Sequence, residues 1–171
     1  MTSEETRQVE QADQGAGSRE GKYLTFSLAG EEYGIGILKV KEIIGLMTIT
    51  RIPQAPDYVK GMINLRGKVI PVIDLRLKFC MEAIAYTERT CIIVVEVRTM
   101  DRTMKMGIIV DSVSEVLNIK NGEIEDMPSF GKRLDTDNIL GVAKVAGGIK
   151  ILLDIDGVLS ESDFIALADA A

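Results

Sequence analysis

The chain repeats itself, and that constrains its fold more than any other feature. Gly34-Ile35-Gly36-Ile37-Leu38-Lys39-Val40-Lys41-Glu42-Ile43-Ile44 aligns without gaps with Gly107-Ile108-Ile109-Val110-Asp111-Ser112-Val113-Ser114-Glu115-Val116-Leu117. The shared pattern is G-I-x-[IV]-x-x-V-x-E-[IV]-[IL]. A second pair follows in the same order: Gly61, Gly67 and Asp74 are spaced like Gly141, Gly147 and Asp154. The longer offset of the second pair is absorbed if Pro128 to Asn138 is a loop. Repeat units of about residues 34–75 and 107–155 are each too small to bury a core comfortably alone. The expectation is two similar subdomains packed together, with a groove where they meet.

Strand signals dominate within the units. Leu24, Phe26 and Leu28 alternate with Tyr23, Thr25 and Ser27, the period of a half-buried strand. Ala29-Gly30-Glu31-Glu32 can turn the chain into a second strand near Tyr33 to Ile37. Further strands are expected at Val69 to Leu75, Thr90 to Val97, Met106 to Val110 and Ile149 to Ile155. Thr90 to Val97 is mostly β-branched, which favours a strand over a buried helix. Ile37, Val40 and Ile44 fall at helical spacing and predict one or two helical turns. Asn121-Gly122 marks a turn. Ser160 and Asp163 resemble a capping box ahead of a terminal helix over Phe164 to Ala168. Many short strands with little helix point to a mostly β fold of small barrels rather than a parallel α/β sheet.

Residues 1–21 carry five acids, two bases and almost no apolar side chain, so burial cannot offset the entropy of ordering them. They read as a disordered acidic tail ahead of one domain over residues 22–168. No apolar run approaches the roughly 20 residues of a membrane span, and no signal-peptide stretch opens the chain. The expected location is the cytoplasm, without membrane insertion.

Composition removes whole classes of chemistry. There is no histidine, so Ser-His-Asp and Cys-His catalysis, His-ligated metals and phosphohistidine are excluded. The net charge of −6 and the absence of tryptophan argue against nucleic-acid binding. Cys80 and Cys91 form no CxxC motif and read as reduced core residues. Gly30 and Gly34-Ile35-Gly36 lack the Gly-Lys-Ser/Thr ending of a phosphate loop.

The remaining candidates have two readings each. Arg66, in Gly61-Met62-Ile63-Asn64-Leu65-Arg66-Gly67, is either a solvated arginine or one held by a carboxylate and presented to a partner. Gly67 permits a positive-φ turn, and Pro71 implies an edge or a bulge in the strand that follows. Glu42 and Glu115, both in apolar surroundings, mark a shared structural bond or, alternatively, a small ligand-binding barrel or enzyme. Asp74 and Asp154 read as polar groups at strand ends.

The segment from Lys22 to about Ala168 resembles the CheW family. The match is carried by Tyr33-Gly34-Ile35-Gly36-Ile37, Val40-Lys41-Glu42-Ile43, Thr50-Arg51-Ile52-Pro53 and the run Val59 to Arg76 with its N-L-R-G and I-P-V-I-D-L-R signatures. Gly107 to Val116 extends it into the second half. The resemblance implies two five-stranded SH3-like barrels, intertwined, and a non-catalytic adaptor with no cofactor and no metal. It implies as partners the cytoplasmic tip of chemoreceptors and the regulatory domain of the histidine kinase CheA, with other copies of the adaptor in rings, at membrane-associated receptor arrays. Carried over residue by residue, the receptor contacts are Val40, Gly61, Arg66, Val69, Cys91, Val113 and Val116. Glu42 is the carboxylate that positions Arg66, and the kinase contacts are Thr50, Arg51 and Phe130. With 171 residues and no histidine, the sequence is expected to be neither CheA, which carries this kind of domain on a long kinase, nor CheV, which fuses it to a receiver. Thr99 to Lys105 reads as a longer turn than the family's.

Overall fold

A computed structural model describes residues 19–98, 102–128, 138–145 and 147–159. The chain is mostly β. In the first half, β1 (Gly21–Leu28), β2 (Glu31–Gly36) and β3 (Val40–Gly45) precede the hairpin β4 (Val59–Leu65) and β5 (Lys68–Asp74), which ends in a single turn of helix, α1 (Leu75–Lys78). The second half repeats that order: β6 (Cys91–Arg98), β7 (Thr103–Val110), β8 (Ser112–Ile119), the short β9 (Ile124–Glu125), then β10 (Ile139–Val145), β11 (Gly148–Leu153) and α2 (Ile155–Val158).

The halves exchange strands. One sheet runs β3-β6-β7-β5-β4 and the other β8-β1-β2-β11-β10-β9. Each sheet therefore takes its central antiparallel pair from one half and its flanking strands from the other. The parallel contacts β5·β7 and β2·β11 sit at matching places, with Gly107 opposite Val72 and Gly34 opposite Leu152. The fit is tight, since an added Cβ at Gly107 would lie 2.8 Å from Ile92 in the core and one at Gly34 would lie 3.0 Å from the tip of Leu152.

This arrangement explains the unbroken apolar run in β6. Ile93, Val95 and Val97 face a central core shared with Leu24, Phe26, Leu28 and Ile35 of the other sheet. Ile92 and Val94 face the opposite way, into a smaller core with Ile63, Ile70 and Val72 inside the β3–β4 sheet. The other sheet has its own small core around Tyr23, Ile119, Ile124 and Leu152. Strands buried on both faces need no polar alternation, and each such side chain contributes about 1.5–3 kcal/mol of burial.

Two half-buried ion pairs hold the crossovers, with their charges reversed between the repeats. Asp111, between β7 and β8, accepts from Arg76 Nε of α1 (2.8 Å) and from the backbone N–H of Ala29 in the β1–β2 turn (2.8 Å). At the matching place in the other half, Asp156 of α2 accepts from Lys39 Nζ, between β2 and β3 (2.6 Å), and from the backbone N–H of Arg98 (2.9 Å). In the repeat alignment Arg76 falls on Asp156 and Lys39 beside the mate of Asp111.

Several expectations need correction. Val40 to Ile44 is strand, not helix; only Ile37–Lys39 forms a 3-10 turn. A bulge at Lys41, between the Val40↔Val95 and Glu42↔Val94 pairs, breaks the strand period and mimics helical spacing. Arg19 to Gly21, read as tail, belong to the fold: Arg19 pairs with Asp126 and Gly21 pairs with Ile119. The β6–β7 ladder persists to Arg98↔Thr103, so Thr103 to Lys105 are strand rather than turn. Cys80 is exposed and not a core residue, Cys91 is half-buried against the central core, and both thiols are free. Ala29 and Gly30 form the expected turn with φ of 52° and 81°, the positive pair of a type I′ hairpin. Pro71 pairs only with Met62 of β4, because the ladder to β7 begins at Val72; on that side the strand is locally an edge. Residues 1–18, most of the Pro128 to Asn138 loop, Phe130 and the terminal helix expected at 164–168 lie outside the described residues.

Candidate functional site

The site is built at the open ends of the β3–β4 sheet. β3 and β4 are its two edges, and two features join them. The chain leaving β3 meets β4 at Thr50, whose N–H donates to the Met62 carbonyl and whose carbonyl accepts from the Met62 N–H, both at 2.8 Å. Gly61 permits this approach. Its φ is +143°, and a Cβ there would lie 1.9 Å from the Thr50 carbonyl oxygen. Gly141, its repeat mate, lies under β9 in the same way, with a Cβ 2.8 Å from the Glu125 carbonyl oxygen. The recurring glycine is thus a requirement of backbone crossing.

The second link is Glu42 on β3 with Arg66 at the tip of the β4–β5 hairpin. The guanidinium donates through two nitrogens, 2.9 Å to Oε1 and 2.5 Å to Oε2. Arg66 has φ +51° and Gly67 φ +87°, again the pair of a type I′ turn, and Asn64 Oδ1 accepts from the Gly67 N–H at 2.8 Å. The turn lifts Arg66 into solvent while Glu42 fixes its plane. That bond holds the Glu42 carboxyl below the ordinary carboxylate value, with a smaller contribution from Lys105. A depressed folded-state value means the pair's stabilisation is present at neutral pH and fades as pH falls through the carboxyl's own titration. In a carbon-detected NMR titration, Glu42 should protonate at lower pH than a free glutamate, and Arg66→Ala should return it toward the ordinary range.

The repeat does not preserve this pair. Glu115 is exposed, and Arg66 is replaced at its mate by Ala146. What recurs at Glu115 is the bulge: the buried Thr25 hydroxyl donates to the Glu115 carbonyl (2.8 Å) and accepts from its N–H (3.1 Å). The apolar setting of Glu115 in the sequence therefore does not bury its carboxylate, and the enzyme reading loses that motive. Asp74 and Asp154 do stand at strand ends, as N-caps of α1 and α2. Asp74 accepts from the N–H groups of Arg76 and Leu77 and from the Tyr86 hydroxyl at 2.8 Å.

Of the sequence-derived contacts, the structure gathers Cys91 and Val113 in a cleft at the seam between the sheets, with Ser27, Glu32, Arg89 and Ser114. Gly61, Thr50 and Arg51 form one strip along β4. Val40 packs on the central core. Val69 and Val116 are 64% and 50% exposed. Their repeat mates, Ile149 and Ile43, are 63% and 44% exposed. The sequence reading missed those two, although the repeat alignment itself points to them. Among the described residues no group of three or more Cys, Asp or Glu could hold a metal. The seam cleft is polar and charged, unlike the mostly apolar lining of small-molecule sites, and no helix among the described residues is long and apolar enough to cross a membrane.

Comparison with known proteins agrees with this geometry. Residues 22–163 match the model of the CheW-like domain. The chain is 42% identical over 148 residues to the chemotaxis protein CheW of Klebsiella aerogenes, covering 86% of each chain. It is 36% identical over 152 residues to the chemotaxis protein CheW of Bacillus subtilis, covering 88% of this chain and 94% of the relative. Its fold superposes on the crystal structure of the scaffolding protein TtCheW from Thermoanaerobacter tengcongensis with a TM-score of 0.73 at 36% identity, over 84% of this chain and 95% of the other. A duplicated β frame that exposes matched apolar positions, matched along nearly its whole length by these relatives, places the chain in the CheW-like domain family of non-catalytic chemotaxis scaffolds.

Proposed function

We propose that the chain couples chemoreceptors to the histidine kinase CheA, working in the cytoplasm at membrane-associated receptor arrays. The observation that carries this reading is the recurrence of exposed aliphatic side chains at equivalent points of both halves, Ile43 with Val116 and Val69 with Ile149. Isolated exposed aliphatics need no explanation; a pattern kept through a duplication suits protein docking. The receptor tip is proposed to meet Val40, Arg66, Val69, Cys91, Val113 and Val116, a surface suited to a helical hairpin. Gly61, the remaining receptor contact that the resemblance implies, is buried beneath Thr50 and Arg51, so its proposed part is indirect: it lets those two residues lie across β4. Thr50 and Arg51, with Phe130, are the proposed kinase contacts, and other copies of the chain are proposed neighbours in rings.

Arg66→Ala tests the reading. The side chain is exposed and its ion pair stabilises only weakly, so the fold should be retained with at most a small fall in thermal midpoint. Loss of a presented, pre-oriented guanidinium should weaken assembly with receptor tips and the kinase regulatory domain by about tenfold or more, the range of an arginine at an interface centre. Glu42→Gln should reproduce part of the loss, because Arg66 then lacks its bidentate partner. Wild-type assembly in both variants would remove the hairpin tip from the docking surface.

A further inference from the structure

The mouth of the β3–β4 sheet holds a charge imbalance that the coupling reading does not use. Lys41, Glu42, Arg66, Lys68 and Lys105 rim a depression of about 180 Å³ over the half-buried Leu65, with the core side chains Ile70 and Val94 beneath it. The bulge at Lys41 lets consecutive residues of β3 line the same mouth. Two carboxylates serve this rim. Glu42 binds Arg66 and feels Lys105, and Glu96 binds Lys41 at 3.0 Å and also feels Lys105. With Lys68 the rim has four cations against two anions, on a chain whose net charge is −6.

We infer that this mouth receives an acidic segment of a protein partner, its carboxylates meeting Lys68 and Lys105 beside the half-buried Leu65. The inference rests on the docking reading above and adds the partner's chemistry. The volume falls short of the about 300–1,000 Å³ of a small-molecule pocket, and the cations come from β3, the β4–β5 hairpin and β7, a spread that a run of carboxylates covers and one small anion does not. A nucleic acid would offer phosphates to the rim, but the rim carries no aromatic side chain to stack a base. A segment with several carboxylates matches this spread of positive charge.

The test measures affinity of the intact chain for a receptor-tip fragment and, separately, for the kinase regulatory domain across a salt series. It compares wild type with Lys68→Glu/Lys105→Glu and with a control, Lys22→Glu/Lys120→Glu, which makes the same charge change on the other sheet. The expected result is at least about tenfold weaker binding of one partner by the first variant at low salt, with the gap closing toward about 1 M salt. The control should bind like wild type, and all three chains should remain folded at the assay temperature, the first with a somewhat lower midpoint because Lys105→Glu sets a second carboxylate opposite Glu96. Equal binding by the first variant, or equal loss in the control, overturns the inference while leaving the coupling reading intact. A duplex DNA probe that binds wild type and is lost in the first variant overturns it in favour of a phosphate ligand. Wild type that binds neither protein fragment overturns both readings.

Discussion

Replacing Gly61 with alanine is expected to lower stability by about 4 kcal/mol or more, well above the usual range for a point substitution. Two costs add. The new Cβ would sit 1.9 Å from the Thr50 carbonyl oxygen, so backbone must move. A φ of +143° is also one that L side chains rarely adopt. For a domain of this size the melting midpoint should fall by about 10 °C. Gly67→Ala is the comparison: its φ is +87°, but the added Cβ meets nothing within 4 Å. It should cost about 1 kcal/mol, the conformational part alone. The contrast also assigns a role, because an assembly defect in Gly61→Ala then arises from displacement of Thr50 and Arg51. Equal midpoints for the two variants, by thermal and urea unfolding, would contradict the crossing of backbones described here.

The second large effect is expected at Asp111. Its side chain is 21% exposed and that of Arg76 is 12% exposed. Asp111→Ala leaves the guanidinium without its carboxylate and the Ala29 N–H without its acceptor, at a cost of about 2–3 kcal/mol, somewhat under the range for breaking a fully buried pair. Asp111→Asn keeps an acceptor for Ala29 and should cost about half as much. A double-mutant cycle with Arg76→Met should return a coupling energy of about 1–2 kcal/mol. The Lys39–Asp156 pair is more exposed, and breaking it by Lys39→Met should cost less. A null cycle at Arg76 and Asp111 would mean the crossover is held by apolar packing alone.

Much of this architecture was legible because it is local. β1, β2, β5, β6, β7 and β11 announce themselves through alternation or β-branched runs, and the repeat announces the duplication. β3 and β8 hid because each carries a bulge, and β4 because Gly61 interrupts it. Pairing is a different matter. Nothing in the sequence of β3 says that it joins β6 rather than its own hairpin, because that choice is made by the shared central core. The Arg76–Asp111 and Lys39–Asp156 pairs escaped notice because the repeat reverses their charges, so an alignment searching for identity passes over them. The Glu42–Arg66 pair was reached only through family resemblance. Residue spacing alone could not bring a strand edge and a distant hairpin tip together.

The proposed coupling role requires that two partners bind the duplicated frame at once, on separate surfaces. The most direct measurement is analytical ultracentrifugation of the full chain with a receptor-tip fragment and the kinase regulatory domain, each labelled with its own dye. Both labels are expected in a complex that forms only when the chain is added. Binding of one partner that always expels the other, or no binding of either, would contradict it.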